Sequence, residues 1–126
     1  MDYNFIGKTI LIVEDEKVNQ FFFEKALKKT QANLFFVQDG KEAIEMVTEN
    51  SEIDVVLMDI RMPRMDGFEA TRQIKEINPE LPVIIQTANS RTSVLDDAEK
   101  SGCNDLITKP IKIEKLLLIL KKHLIY

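Results

Sequence analysis

Three acids in a row, Glu14-Asp15-Glu16, follow the apolar run Thr9-Ile10-Leu11-Ile12-Val13, and a single acid, Asp59, closes the run Val55-Val56-Leu57-Met58. Thr87-Ala88 lies at the end of a run that begins Val83-Ile84-Ile85, and Lys109-Pro110 comes just after Leu106-Ile107. Brought to one edge, these ends would make a pocket of at least three carboxylates, a hydroxyl and an ammonium. Clustered carboxylates repel, and the repulsion raises the pKa of one or more of them. A divalent cation relieves it, and an all-oxygen donor set suits Mg2+, whereas zinc would call for His or Cys. Such a site fits phosphoryl transfer, which needs charge neutralisation and in-line positioning more than covalent help. Asp59 would be the attacking oxygen and form an acyl phosphate. Lys109 would hold a phosphoryl oxygen as a point charge and Thr87 would donate a hydrogen bond. The blander reading is that acids favour the start of a helix. It serves for Glu16, and for Asp15 taken alone, but Asp59 follows four apolar residues and has no evident capping role.

The elements that must position these residues read as β-α repeated five times. Strands are expected at Thr9–Val13, Leu34–Val37, Val55–Met58, Val83–Ile85 and Leu106–Ile107, mostly continuous apolar runs of the kind covered on both faces. Between them lie helical stripes: Val18, Phe22, Phe23, Ala26 and Leu27; Ala43, Ile44 and Val47; Phe68, Thr71, Ile74 and Ile77; Val94, Leu95 and Ala98; and Ile113, Leu116, Leu117, Leu120 and Leu124. The third should end before Asn78-Pro79, since proline cannot continue a helix. Alternation of this kind predicts an α/β fold, a parallel sheet with helices on both faces. In such sheets, ligands bind outside the carboxyl ends of the strands, at a switch point in strand order.

Bulk properties narrow the function. The 126 residues fit one domain, and 44% hydrophobic with 30% charged residues describes a globular chain. A net charge of −4 argues against binding to a phosphate backbone. The single cysteine, Cys103, forms no internal disulfide, which points to a reducing compartment, and the one histidine, His123, gives it no catalytic partner. His123 reads as structural. No secretory signal and no membrane span is evident, so a cytoplasmic location is expected.

The residues now resemble a family, the receiver domains of two-component response regulators. The resemblance rests on Ile10-Leu11-Ile12-Val13-Glu14-Asp15, on Met58-Asp59-Ile60-Arg61-Met62-Pro63-Arg64-Met65-Asp66-Gly67, on Thr87-Ala88 and on Thr108-Lys109-Pro110. It covers essentially the whole chain and implies one receiver domain over residues 1–126 with a flavodoxin-like, doubly wound sheet of order 2-1-3-4-5. It further implies Asp59 as phosphoacceptor, Glu14, Asp15, Asp59 and the backbone carbonyl of Arg61 around Mg2+, Thr87 as switch hydroxyl and Lys109 as phosphate-binding ammonium. The Lys109-Pro110 bond would be cis. The donor would be a histidine kinase or a histidine phosphotransfer domain, and the domain would be a signalling module rather than an enzyme. Arg61 and Asn89 occupy positions that tune dephosphorylation. Phe5-Ile6-Gly7-Lys8 and Asn19-Gln20 resemble receivers joined to hybrid histidine kinases.

Two competing functions are weaker. A degenerate receiver acting only as a binding module would have lost some of these groups, and all are present. An aspartyl-phosphate hydrolase would present Asp-x-Asp after the first strand, where this chain has Glu14-Asp15-Glu16. In the last helix, Leu118 and Ile125 lie off the core stripe; single exposed apolar residues are ordinary, and the sharper reading is a homodimer or output-partner contact.

The chain departs from the family at Leu106, three residues before the lysine, where many receivers carry Tyr or Phe. That ring swings inward as the threonine moves, and leucine cannot do the same. Amide exchange around Leu106 should therefore change little when a phosphate mimic is added. Strong new protection there would show that the relay operates without the ring.

Overall fold

The structure, a computed structural model, describes residues 3–61, 66–88 and 91–125. Its strands are Thr9–Val13 (β1), Asn33–Val37 (β2), Val55–Asp59 (β3), Val83–Thr87 (β4) and Asp105–Thr108 (β5). The helices are Lys17–Leu27 (α1), Gly40–Glu49 (α2), Gly67–Ile77 (α3), Thr92–Ser101 (α4) and Ile113–Leu124 (α5). All strand pairs are parallel, in the order β2-β1-β3-β4-β5. The expected α/β fold and strand order are both present. β1, β3 and β4 are buried along their whole length, which explains their continuous apolar runs.

Because side chains alternate along a strand, each strand feeds two cores. Leu11, Val13, Val56, Met58, Val83 and Ile85 pack under α2, α3 and α4. Ile10, Ile12, Val55, Leu57, Ile84 and Ile107 pack under α1 and α5. Phe23 and Leu27 bury the inner stripe of α1, and Leu116, Leu120 and Leu124 that of α5. Four apolar residues assigned to core stripes lie instead at the surface: Val18 (78% exposed), Ile77, Leu95 and Ile113. Val18, Ile77 and Ile113 sit in the first or last turn of a helix, beyond the reach of the sheet that would cover them. Leu118 and Ile125 are exposed, as expected of residues off the stripe, although Ile125 falls one residue beyond α5.

Local chemistry sets the helix ends. Asp39 accepts from Glu42 N–H at 2.9 Å and caps α2, while Glu42 Oε1 reaches back to Gln38 N–H at 2.7 Å. Asp66 caps α3 through Glu69 N–H, and α3 ends at Ile77, ahead of Asn78-Pro79. Gly102, at φ +83°, closes α4 in the left-handed region. Near the end of α5, His123 Nε2 and Lys122 Nζ both meet Asp105 Oδ2, at 2.9 and 3.0 Å. That contact gives His123 its structural part, tying α5 to β5. Burial pushes the Asp105 carboxyl up, but the bonds from His123 and Lys122 outweigh it, and its pKa falls below the usual value.

Replacing Asp39 with alanine removes the α2 cap and should cost about 1 kcal/mol. Urea unfolding checks this, and an unchanged midpoint would refute the cap's contribution.

Candidate functional site

The parallel order brings the predicted residues to one end of the sheet. β1 and β3 are neighbours, in register from Ile10 opposite Val55 to Val13 opposite Met58. Glu14 therefore leaves β1 beside Asp59, the last residue of β3. One carboxylate oxygen from each of Glu14, Asp15 and Asp59 lies within 4.8 Å of the others. Glu14 and Asp59 are buried, at 1% and 3% exposure, and Asp15 faces solvent.

Asp59 is held at both oxygens. Its Oδ1 accepts from Arg61 N–H at 3.0 Å, and its Oδ2 meets Lys109 Nζ at 2.9 Å. Lys109 follows β5, and its own N–H donates to the Thr87 carbonyl at 2.7 Å, so its backbone is tied to the end of β4. Thr87 is buried at that end, level with Thr108 across the sheet. The Lys109-Pro110 bond is cis, as the resemblance implies. Arg61 is exposed. Met62, Pro63, Arg64, Met65 and Asn89 lie outside the described residues.

Glu14 is fixed from α1. Its Oε2 accepts from Glu16 N–H at 3.1 Å and Asn19 Nδ2 at 3.3 Å, and its carbonyl accepts from Gln20 Nε2 at 2.7 Å. The helix-start role expected of Glu16 thus falls in part to Glu14, because the Glu16 side chain makes no capping bond. The Asn19-Gln20 pair, read from sequence as a likeness to hybrid-kinase receivers, acts here as the clamp on Glu14. Burial pushes the Glu14 carboxyl above its usual range. The bonds from Glu16 and Asn19 oppose that rise, Asp59 adds to it and Lys109 works against it. The expected rise is present, with burial as the first cause and carboxylate repulsion a lesser one.

Does this site suit a hard cation? Glu14 Oε1 is buried and has no hydrogen-bond partner among the described residues. A buried carboxylate oxygen left this way calls for a cation or a hydrogen-bond donor. The cluster offers oxygen donors only, which suits Mg2+.

Gly67 fixes the approach of α3. A Cβ there would lie 2.5 Å from the Asp59 carbonyl oxygen and 2.7 Å from Ile60 Cα. Nothing in residue type or spacing singles out Gln86, which stands level with Asp59 in the sheet and lines a cavity with Glu14 and Lys109. A glutamine after Val83-Ile84-Ile85 reads as the end of a strand, although it lies inside one.

The sequence profile of the response regulator receiver domain family matches residues 10–121. The chain belongs to that family. It is 37% identical over 121 residues to the autoinducer 2 sensor kinase/phosphatase LuxQ of Vibrio vulnificus, covering 93% of this chain. It spans only 14% of the length of that kinase. Among solved structures it resembles the receiver domain of a sensor histidine kinase from Pseudomonas aeruginosa, with magnesium coordinated in the active-site cleft. That likeness has a TM-score of 0.86 and 34% identity over 94% of this chain and 98% of the other. It also resembles a co-crystal structure from Saccharomyces cerevisiae of the phosphotransfer protein Ypd1 with the receiver domain of Ssk1, at TM-score 0.87 and 26% identity. The likeness there spans 95% of this chain and 90% of the other.

Replacing Gly67 with alanine would drive a methyl group into the backbone of Asp59 and Ile60, which cannot swing aside as a side-chain tip can. The expected cost is about 1–3 kcal/mol. Urea unfolding reads it, and an unchanged midpoint would show that α3 has room to shift.

Proposed function

We propose that this domain is an active phosphoacceptor receiver of two-component signalling, taking a phosphoryl group from a phosphohistidine onto Asp59. The observation that carries the reading is the setting of Asp59. It is a buried carboxylate at the end of a parallel strand, with Lys109 Nζ at 2.9 Å and the carboxylates of Glu14 and Asp15 within 4.8 Å. A carboxylate oxygen of Asp59 attacks phosphorus, the phosphorus–nitrogen bond breaks, and its electron pair stays with the donor imidazole. Lys109 then holds an oxygen of the acyl phosphate as a point charge, and the Thr87 hydroxyl donates to another. Glu14, Asp15, Asp59 and the Arg61 carbonyl would hold Mg2+, which when bound neutralises the carboxylates and the incoming phosphoryl oxygens.

The partner in this reading is a histidine kinase or a phosphotransfer protein, the latter by analogy with the yeast complex. The acyl phosphate would act by changing what the domain binds, with the exposed Leu118 and Ile125 as the contact for an output partner or a second copy. The reading places the domain on the cytoplasmic side. Among the described residues, no helix is long and apolar enough to cross a membrane.

Incubation with acetyl phosphate and Mg2+ tests the proposal. Intact-mass spectrometry should show the gain of one phosphoryl group, lost on chelation of the metal and absent from Asp59→Asn. Equal labelling of that variant would move the acceptor elsewhere.

A further inference from the structure

Gln86 has no part in the chemistry proposed above, yet it is 1% exposed and stands directly beside Asp59 in the sheet. Neither its Nε2 nor its Oε1 has a hydrogen-bond partner among the described residues. Buried amides are rarely left so, and each exception asks for an explanation.

Register places it. Asp59 lies opposite Gln86, and the Val13–Met58 and Met58–Ile85 pairs put Glu14, Asp59 and Gln86 in the next row across three strands. Alternation sends all three toward the face that carries α1 and α5, where Ile12, Leu57 and Ile84 already point. Glu14 and Gln86 stand two strand spacings apart, about 10 Å between Cα atoms. Between them and α1 lies a cavity of about 350 Å3 whose polar lining is Glu14, Asn19, Gln86 and Lys109. Phe22 and Pro110 are among its apolar walls.

The hydrogen-bond accounting is complementary. Glu14 Oε2 has two donors, Glu16 N–H and Asn19 Nδ2, and Oε1 has none. The Gln86 amide offers a donor and an acceptor to the same cavity. Lys109 carries three N–H bonds, one of which meets Asp59. An amide between an acid and an ammonium has one satisfying orientation, nitrogen toward the acid and oxygen toward the ammonium.

We infer that Gln86 is a positioning residue of the acceptor site, its Nε2 donating to Glu14 Oε1 and its Oε1 accepting from Lys109 Nζ, directly or through one bridging water. The bridge holds the Glu14 carboxylate in the orientation that a cation would meet. The inference rests on the reading of Glu14 as a metal ligand.

Gln86→Leu removes both polar atoms at similar volume. Isothermal calorimetry should show Mg2+ binding weakened about tenfold, the scale typical of losing a partner that orients a ligand. Urea unfolding should stay cooperative, with a lower midpoint because the buried Glu14 Oε1 loses its donor. Binding within about twofold of wild type would overturn the inference while leaving Asp59 phosphorylation standing. If wild type binds no Mg2+, the inference and the proposed function fail together. A second measurement needs no change at position 86. The Gln86 side-chain NH2 resonances should shift in Glu14→Gln, and resonances that stay in place would also overturn the inference.

Discussion

Asp59 is a carboxylate almost wholly removed from water, and its counter-charge comes from another strand. A buried charge is tolerated only when paired and hydrogen-bonded. Lys109 provides the pair at 2.9 Å, and the Arg61 N–H provides a second bond. That requirement reaches through the fold. Lys109 can stand where it does because β5 and β4 run parallel and its N–H is bonded to the Thr87 carbonyl. Asp59 can stand where it does because Gly67 lets α3 start against its backbone.

Repulsion among Glu14, Asp15 and Asp59 is met unevenly. Asp15 is exposed, so water screens its charge, whereas Glu14 is buried and depends on donors from α1. The three acids are therefore not equivalent. One takes the phosphoryl group in the proposed chemistry, one is open to solvent, and one is locked into the protein.

The strand cores were legible because parallel strands covered on both faces must be apolar at every position. Their carboxyl ends were less so, since polar residues such as Gln86 and Thr87 interrupt the apolar run before the ladder stops. The site's acids, hydroxyl and lysine were recognisable by type and order. Gln86 was not, because only register shows that it lies beside Asp59. Val18 and Ile113 matched a helical stripe, but periodicity carries no information about where a helix overhangs the sheet. Leu106 packs toward α2–α4 and Ile107 toward α1 and α5, a division that the two-residue run could not reveal.

Glu14 belongs at once to the acidic cluster and to the start of α1, through its bonds from the N-cap Glu16 N–H and from Asn19 Nδ2. A carboxylate drawn toward a cation has less electron density for that N–H. A cation held by Glu14 would therefore also bear on the start of α1. The same helix carries Val18 and Phe21 on its outer surface, at 78% and 58% exposure. A protein resting on those side chains would meet a surface whose stiffness depends on how Glu14 is engaged.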